Sequence, residues 1–315
     1  MTSHAITFVK GFLIGIANII PGVSGGTFAL LLGIYERLIG ALAAIGTQTV
    51  KVAGRLVLAP HRRESWSALG EELKRLDAVW LAVLLAGAAA AILASSHLIA
   101  YLLDYHRAPT LAFFIGLILP SIAVPYSMME RRGPKELVAC IAGCGLLVAI
   151  SLGASGSGVT SGGLVLLFIS GAIAISAMIL PGISGSFVLM VMGQYRAVLG
   201  AINEVRLVEL SVFACGCVLG LIGFVKLLQF LLRRYRTVVL AFLVGLILGS
   251  LWVLWPFKHV AEGAKIITGT NYLPAALDGE VLVAIAAFVA GACGALGVNH
   301  LGKSEADSPV AGVSE

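Results

Sequence analysis

Two short elements, each a Pro-Gly-x-Ser-Gly sequence inside a long apolar stretch, carry the residues best suited to chemistry. The first is Pro21-Gly-Val-Ser-Gly-Gly-Thr27, and the second is Pro181-Gly-Ile-Ser-Gly-Ser186. Proline ends one helix, and we expect the next to begin at about Phe28 or Val188. The first amides of a helix lack intrahelical partners and carry the positive end of its dipole. The sequence therefore predicts an anion cradle, suited to a phosphate or carboxylate.

The candidate ligands are the small polar residues of the two elements and the charged residues near them. Hydroxyl and amide groups come from Ser24, Gly25, Gly26, Thr27, Ser184, Gly185 and Ser186. Positive charges would come from Arg37 and Arg196 and from Arg107 and Arg236, because arginine pairs well with phosphate. Glu36 would compensate Arg37 when the site is empty, or carry a coupling proton.

Other interpretations of these residues stay open. Pro-Gly breaks also occur as simple kinks in packed helices, and Arg107 and Arg236 also fit anchors at the level of the lipid head groups. Gly22-Val-Ser24-Gly-Gly26 matches G-x-S-x-G, the nucleophile elbow of hydrolases. The second copy, however, has Ser186 where the last glycine should be, and no acid–base pair or cluster of metal-binding carboxylates accompanies it. We expect no enzyme activity, no metal and no cofactor.

The composition places these elements in a membrane protein. Of the 315 residues, 59% are apolar and 12% are charged, and the mean hydropathy is +1.01. A soluble protein carries about 25% charged residues, so a soluble globular domain is excluded. The net charge of +5 does not indicate a nucleic-acid partner, because the basic residues form short clusters between apolar runs, as orientation signals do.

Apolar runs of membrane-crossing length predict six single spans and two hairpins. The single spans are near 79–103, 110–127, 137–152, 207–232, 238–256 and 281–298. The stretches 5–45 and 161–202 are each broken by one Pro-Gly-Ser element. A continuous helix of about 40 residues would be about 60 Å long, against a hydrocarbon core of about 30 Å. Each stretch is therefore a hairpin, either fully spanning or re-entrant.

The chain is an internal duplication. The two Pro-Gly-Ser elements align at an offset of 160 residues, and 107–121 aligns with 236–250 at an offset of 129, with nine of fifteen positions identical. The two offsets differ because the first half alone carries a basic insert at about 47–77. We predict an all-α polytopic membrane protein with a first repeat at 1–152, a second at 153–300 and a disordered tail at 301–315. Each repeat is a broken hairpin followed by three membrane helices.

Clusters of lysine and arginine predict the orientation. They lie in 47–77, 130–136 and 226–236, which places these segments and both termini in the cytoplasm. Three single spans separate the two hairpins, so the hairpins enter from opposite sides and the repeat is inverted. Many transporters are built this way around a site near the midplane. Broken backbone at membrane depth must be satisfied by protein or water, so we expect the two breaks to meet.

The residues from Gly15 to Glu36 (G-x-A-N-I-I-P-G-V-S-G-G-T-x-A-L-x-x-G-I-Y-E) and from Pro181 to Tyr195 resemble the bacterial polyprenyl-phosphate transporter family. The resemblance runs from about residue 5 to 300. It implies a protein of the bacterial inner membrane that moves undecaprenyl phosphate, the lipid carrier of cell-envelope synthesis, from the outer to the inner leaflet for reuse. The spacing alone indicates only an anionic head group, so a secondary transporter of a small water-soluble anion is the alternative. The oligomeric state stays open.

Overall fold

The structure, a computed structural model, describes residues 3–19, 24–153, 163–259 and 270–306 and is almost entirely helical. The helices are α1 (Ser3–Ile19), α2 (Gly25–Leu31), α3 (Tyr35–Ala43), α4 (Thr47–Leu58), α5 (Arg63–Arg75), α6 (Ala78–Tyr105), α7 (Arg107–Ser121), α8 (Ala123–Ser127), α9 (Pro134–Gly153), α10 (Gly163–Ile179), α11 (Gly185–Val191), α12 (Tyr195–Asn203), α13 (Leu207–Arg234), α14 (Arg236–Val253) and α15 (Gly279–Ala306). The prediction of an all-helical polytopic membrane protein is confirmed.

All six predicted single spans are present in the described part of the chain. They are α6, α7 with α8, α9, α13, α14 and α15, each long and apolar enough to cross a membrane. The second span is interrupted at Ile122, between α7 and α8. Pro120, two residues earlier, removes a backbone donor from the helix, which accounts for the break.

Both predicted hairpins are broken, and they have the same construction. In each, a helix of 17 residues is followed by one of seven and one of nine: α1, α2 and α3 in the first, and α10, α11 and α12 in the second. Gly33 and Gly193 separate the two short helices with a φ of +68° in both cases. An L side chain is disfavoured at this dihedral, so the same glycine turn was kept in both copies.

The short helices begin earlier than the sequence predicted. They start at Gly25 and Gly185 rather than at about Phe28 and Val188, because Ser24 and Ser184 occupy the N-cap position with extended backbone. Residues 20–23, which include the first Pro-Gly pair, lie outside the described residues, as does the Gly/Ser-rich segment 154–162.

The spans pack in pairs through glycine. Helix α1 packs on α6 and α10 on α13, while α7 packs on α15 and α9 on α14. A Cβ on Gly87 would lie 2.2 Å from the carbonyl oxygen of Phe8, and one on its repeat equivalent, Gly216, would lie 2.1 Å from that of Phe168. Small residues let the helix backbones touch, which is how membrane helices gain packing contacts without a hydrophobic drive.

The last two pairs join the two halves. Gly245 contacts Cys140, and Gly249 contacts Cys144, so α14 and α9 run in the same direction. Because α9 is the next span after α7, α14 runs opposite to α7, its repeat equivalent. This arrangement is compatible with the predicted inverted repeat.

The basic insert at 47–77 forms two helices, α4 and α5. Glu72 joins them: it accepts hydrogen bonds from the Thr49 hydroxyl at 2.6 Å and from the Arg75 guanidinium at 2.6 Å. The hydrogen bonds from Arg75 and Thr49 lower the pKa of Glu72 to about 2. The face that carries α4 and α5 is called the insert side. Since α6 and α14 begin there, they end on the face called the opposite side.

Two features differ from the sequence-based prediction. A two-stranded antiparallel ribbon, β1 (Lys258–His259) with β2 (Thr270–Asn271), follows α14, whereas the sequence predicted an all-α protein. It is tied to the end of α14 by a hydrogen bond from the Asn271 amide to the Trp252 carbonyl at 3.0 Å. The predicted disordered tail, 301–315, overlaps α15, which extends to Ala306, and residues 307–315 lie outside the described part.

Candidate functional site

The structure brings the two broken elements into direct contact. The Ser24 hydroxyl is within hydrogen-bonding distance of two carbonyl oxygens at the end of α10, that of Leu180 at 3.0 Å and that of Met178 at 3.2 Å. In addition, the backbone N–H of Gly182 donates to the hydroxyl oxygen of Thr27 at 3.0 Å. Side chains of the first half therefore satisfy polar backbone groups that the break exposes in the second half.

The first element is closed and buried. The Ser24 oxygen accepts the N–H of Gly26 at 3.1 Å, and the Asn18 side chain accepts that of Gly25 at 3.0 Å. A Cβ on Gly26 would lie only 2.5 Å from the carbonyl oxygen of Ile179, so the contact requires glycine. Of the predicted ligands, Ser24, Gly25, Gly26 and Thr27 are thus buried and bonded to protein atoms.

The second element is more open. Ser184 has the same extended N-cap conformation as Ser24, but its side chain makes no capping hydrogen bond within the described structure. Its hydroxyl instead lies 2.8 Å from that of Ser186, which is exposed, while Gly185 between them is half-buried. Two hydroxyl groups at the start of α11 are therefore accessible, whereas those of Ser24 and Thr27 at the start of α2 are buried.

On the insert side, the predicted charged residues form ion pairs. Arg37 pairs with Asp77 at 2.6 Å and stacks on the Trp80 ring, 4.4 Å from its centroid. Glu36 pairs with Arg236 of the second half at 2.8 Å, and not with Arg37 as the sequence suggested. The Glu36–Arg236 pair links α3 of the first half to α14 of the second, beside the contact of the two breaks.

The other two arginines lie on the opposite side. Arg107 is the first residue of α7, and its Nε and Nη2 atoms are buried with no hydrogen-bond partner among the residues described. Arg196 is exposed on α12, and none of the ion pairs found in the described ranges includes it. The predicted site residues are therefore distributed over three places: the break contact, the insert side and the opposite side.

An apolar groove reaches the break contact from the side of the bundle. It has a volume of about 450 Å³ and is formed by α9, α13, α14 and the end of the α10 segment. Its lining consists of Ala139, Leu180, Phe224, Leu228, Leu231, Tyr235, Val238, Val239, Phe242 and Leu243. Leu180, whose carbonyl lies against the Ser24 hydroxyl, belongs to both features.

Sequence reasoning missed three participants. Asn18 carried a usable signal, because an amide side chain inside the apolar α1 needs a polar partner. The carbonyl of Leu180 carried none, since every residue has one. Lys258 carried none either, because its electrostatic interaction with Arg107 arises from tertiary structure.

Comparison with known proteins agrees with this architecture. Residues 14–272, which include both Pro-Gly-Ser elements, match the family described as VCA0040-like, undecaprenyl phosphate translocase-like. A Vibrio cholerae serotype O1 protein named polyprenyl-phosphate transporter is 39% identical over 263 residues, which cover 82% of this chain and 79% of that protein. A Staphylococcus aureus protein of the same name is 33% identical over 269 residues, covering 80% of this chain and 86% of that protein. No solved structure matches the chain. The chain belongs to the VCA0040-like family of undecaprenyl phosphate translocase-like proteins.

Proposed function

We propose that this chain carries undecaprenyl phosphate across the bacterial cytoplasmic membrane, from the outer to the inner leaflet, so that the lipid carrier can be reused. The family and the names of two relatives support a polyprenyl phosphate as the substrate. The six to eight candidate spans support a multi-pass membrane protein. The direction of transport, the inner membrane and the cytoplasmic position of both termini are parts of the proposal.

The observation that carries the proposal is the double role of Leu180. Its carbonyl belongs to the polar contact between the two breaks, and its side chain lines the apolar groove. A polar contact and an apolar groove therefore meet at one residue. A lipid phosphate needs this combination, because its head group must avoid hydrocarbon while its tail must avoid water.

The phosphate passes the second element. The accessible hydroxyls of Ser184 and Ser186 and the amides at the start of α11, including that of Gly185, offer donors to phosphate oxygens. Arg196 follows on the next helix and adds positive charge. The first element, with Ser24 and Thr27, acts as the partner against which the second moves.

The break contact is suited to rearrangement. It consists of a few hydrogen bonds in which side chains of one half bond to backbone of the other. Each such bond contributes only about 0.5–1.5 kcal/mol net, so the halves can exchange partners without large cost. Two halves of opposite orientation would then open the site to one leaflet and then to the other.

The isoprenoid tail follows the apolar groove and stays in contact with lipid. The groove extends from Leu180 to Tyr235, and the next residue, Arg236, is paired with Glu36 on the insert side. When the head group leaves on this side, Arg236 would exchange its carboxylate partner, Glu36, for the phosphate. No sealed water-filled path is required, in contrast to a transporter of a soluble anion.

Purified protein in liposomes tests the proposal. A short fluorescent polyprenyl phosphate is placed in both leaflets, and an impermeant quencher reports how fast the inner pool becomes accessible. We expect the protein to accelerate exchange over empty liposomes, and to act less on the corresponding polyprenol, which lacks phosphate. Trapped inorganic phosphate should stay inside. Release of trapped phosphate without lipid exchange would instead identify a soluble-anion transporter.

A groove variant links the activity to the structure. Leu231→Glu places a carboxylate in the apolar lining and should slow lipid exchange, because the charge repels the tail and the phosphate. Leu231→Met changes the shape of the same side chain but keeps it apolar, and serves as the matched control. Equal exchange by the two variants would remove the groove from the path.

A further inference from the structure

Two cations on the opposite side of the bundle, Arg107 and Lys258, are near enough to interact electrostatically. Arg107 begins α7, and Lys258 begins β1, the strand that follows α14. The Lys258 ammonium donates to the carbonyl oxygen of Val253 at 2.7 Å, which fixes it at the end of α14. The ribbon and the start of α7 therefore bring together two basic residues that are far apart in the chain.

No carboxylate neutralises this pair in the part of the chain that the structure describes. Neither residue forms an ion pair there, and the Nε and Nη2 atoms of Arg107 are buried without an acceptor. Asp278, at the start of α15, is engaged in capping that helix through the N–H of Val281 at 2.9 Å. The other titratable groups at the nearby ends of α6 and α15 and in the ribbon are Asp104, His106, Glu280 and His259.

The pKa of Lys258 reflects its burial and the unfavourable interaction between the two positive charges. Loss of hydration and, second, the positive charge of Arg107 lower the pKa of Lys258 to about 8. An unpaired cation with buried donors is expensive in a folded protein, and an anion that bonds to those donors relieves the cost. Arg107 and Lys258 therefore form a place where an anion is favoured.

Comparison of the two repeats shows that, among the described residues, unneutralised positive charge distinguishes the opposite side from the insert side. Arg107 is equivalent to Arg236, which pairs with Glu36 at 2.8 Å on the insert side. The residue equivalent to Glu36 in the second half is Arg196, at the offset of 160 that relates the two broken elements. Where the insert side has a neutral ion pair, the opposite side has a second arginine in place of the acid.

We propose that Arg107 and Lys258 form a capture site for a phosphate monoester on the opposite side of the membrane bundle. This inference rests on the proposed function, in which the head group of a lipid enters from that side and then reaches Ser184. Arginine offers a planar fork of donors to phosphate oxygens, and lysine adds a second full charge. The paired Glu36–Arg236 on the insert side favours release there, because the carboxylate competes for the arginine.

Binding to the full-length protein in detergent tests the site. The probes are a short prenyl phosphate and inorganic phosphate, each measured by titration calorimetry at pH 7. Arg107→Gln and Lys258→Gln should each weaken prenyl phosphate binding about tenfold or more, as expected for a lost charge-assisted hydrogen bond. The matched control is Arg206→Gln, which removes a cation already paired with Glu209 at 2.7 Å. It should leave the affinity unchanged.

The pH profile separates a ligand role from a structural one. Since Lys258 has a pKa of about 8, wild-type affinity should fall severalfold between pH 7 and pH 9 as the ammonium loses its proton. The phosphate itself, whose second pKa is about 6, stays doubly charged over this range. Lys258→Arg keeps its charge and should bind equally at both pH values. A pH profile unchanged by Lys258→Arg would overturn the role of Lys258.

The outcomes also distinguish the site from the function on which it rests. If wild-type protein exchanges polyprenyl phosphate and both glutamine variants bind the prenyl phosphate normally, the capture site is wrong and the proposed function stands. If the variants lose binding but the wild type exchanges no lipid, the site is correct and lipid transport is wrong. Inorganic phosphate bound as tightly as the prenyl phosphate would identify free phosphate as the source of the ligand.

Discussion

At the scale of single residues, the two equivalent serines have different surroundings. Ser24 caps α2 and bonds to a carbonyl of the other half, while Ser184 bonds only to the hydroxyl of Ser186 among the residues described. Both repeats have a serine at this position, but the serine makes different contacts in each. Ser24 holds the halves together, and Ser184 remains available for a ligand.

Substitution of each serine by alanine should therefore affect a different property. Ser24→Ala removes a helix cap and an interhelical bond, and should lower the free energy of unfolding by about 1–2 kcal/mol. Ser184→Ala should change stability by less than about 0.5 kcal/mol, because no capping bond is lost, but should slow polyprenyl phosphate exchange. Thermal unfolding in detergent and the liposome assay measure the two effects. Equal stability losses would contradict the assignment.

The Glu36–Arg236 pair gives a second prediction. Both side chains are nearly half exposed, so the pair should contribute no more than about 1 kcal/mol to stability. Glu36→Arg places two cations together and should slow lipid exchange by holding the phosphate on the insert side. The double variant Glu36→Arg with Arg236→Glu restores opposite charges, and we expect it to recover most of the rate. Failure of the double variant to exceed the single one would show that the pair does not act as a unit.

At the scale of elements, the glycine turns Gly33 and Gly193 set the shape of both hairpins. Each ends a seven-residue helix at a φ of +68°, and a Cβ on Gly33 would meet no atom within 4 Å. The requirement for glycine at position 33 is therefore one of backbone conformation and not of space.

Gly33→Ala should cost about 1–2 kcal/mol of stability through the strained dihedral alone. Gly40→Ala is the control, because Gly40 lies inside α3 and a Cβ there would also meet nothing within 4 Å. At that position alanine should stabilise the helix by about 0.5–1 kcal/mol. The two free energies of unfolding should thus change in opposite directions, and a shared sign would refute the conformational explanation.

Hydropathy and repetition predicted most of these elements, because membrane spans are specified by length and apolar composition. The six single spans, the two broken hairpins and the presence of an insert in the first half only follow from these patterns. The sequence did not predict the starts of α2 and α11, because N-capping by Ser24 and Ser184 depends on local backbone geometry. The pairing of Arg37 with Asp77 depends on how the insert folds back, which no local pattern encodes.

At the scale of the whole molecule, the four helix pairs give the chain its symmetry. Two pairs lie within the halves and two pairs join them. Because α14 begins on the insert side and crosses the bundle, the insert and the ribbon that carries Lys258 lie on opposite faces. The proposed orientation assigns the insert to the cytoplasm and the ribbon to the outside.

Cysteine labelling in cells tests this orientation. In a chain whose five native cysteines are replaced, Ser67→Cys on α5 and Ala275→Cys after the ribbon each supply one exposed thiol. A membrane-impermeant maleimide added to intact cells should label Cys introduced at 275 and not at 67, and lysis should make both reactive. The reverse pattern would invert the orientation and move the capture site to the cytoplasmic face.

The most direct measurement is to map where the lipid phosphate binds. A polyprenyl phosphate with a photoreactive group beside the phosphate is incorporated into liposomes with the protein, activated, and located by mass spectrometry. We predict labelling around Leu180–Phe187 and in the groove segment 228–243, competed by unlabelled undecaprenyl phosphate. Labelling confined to lipid-facing residues such as Val79, Leu85 and Leu93, without competition, would contradict a path through the contact of the two breaks.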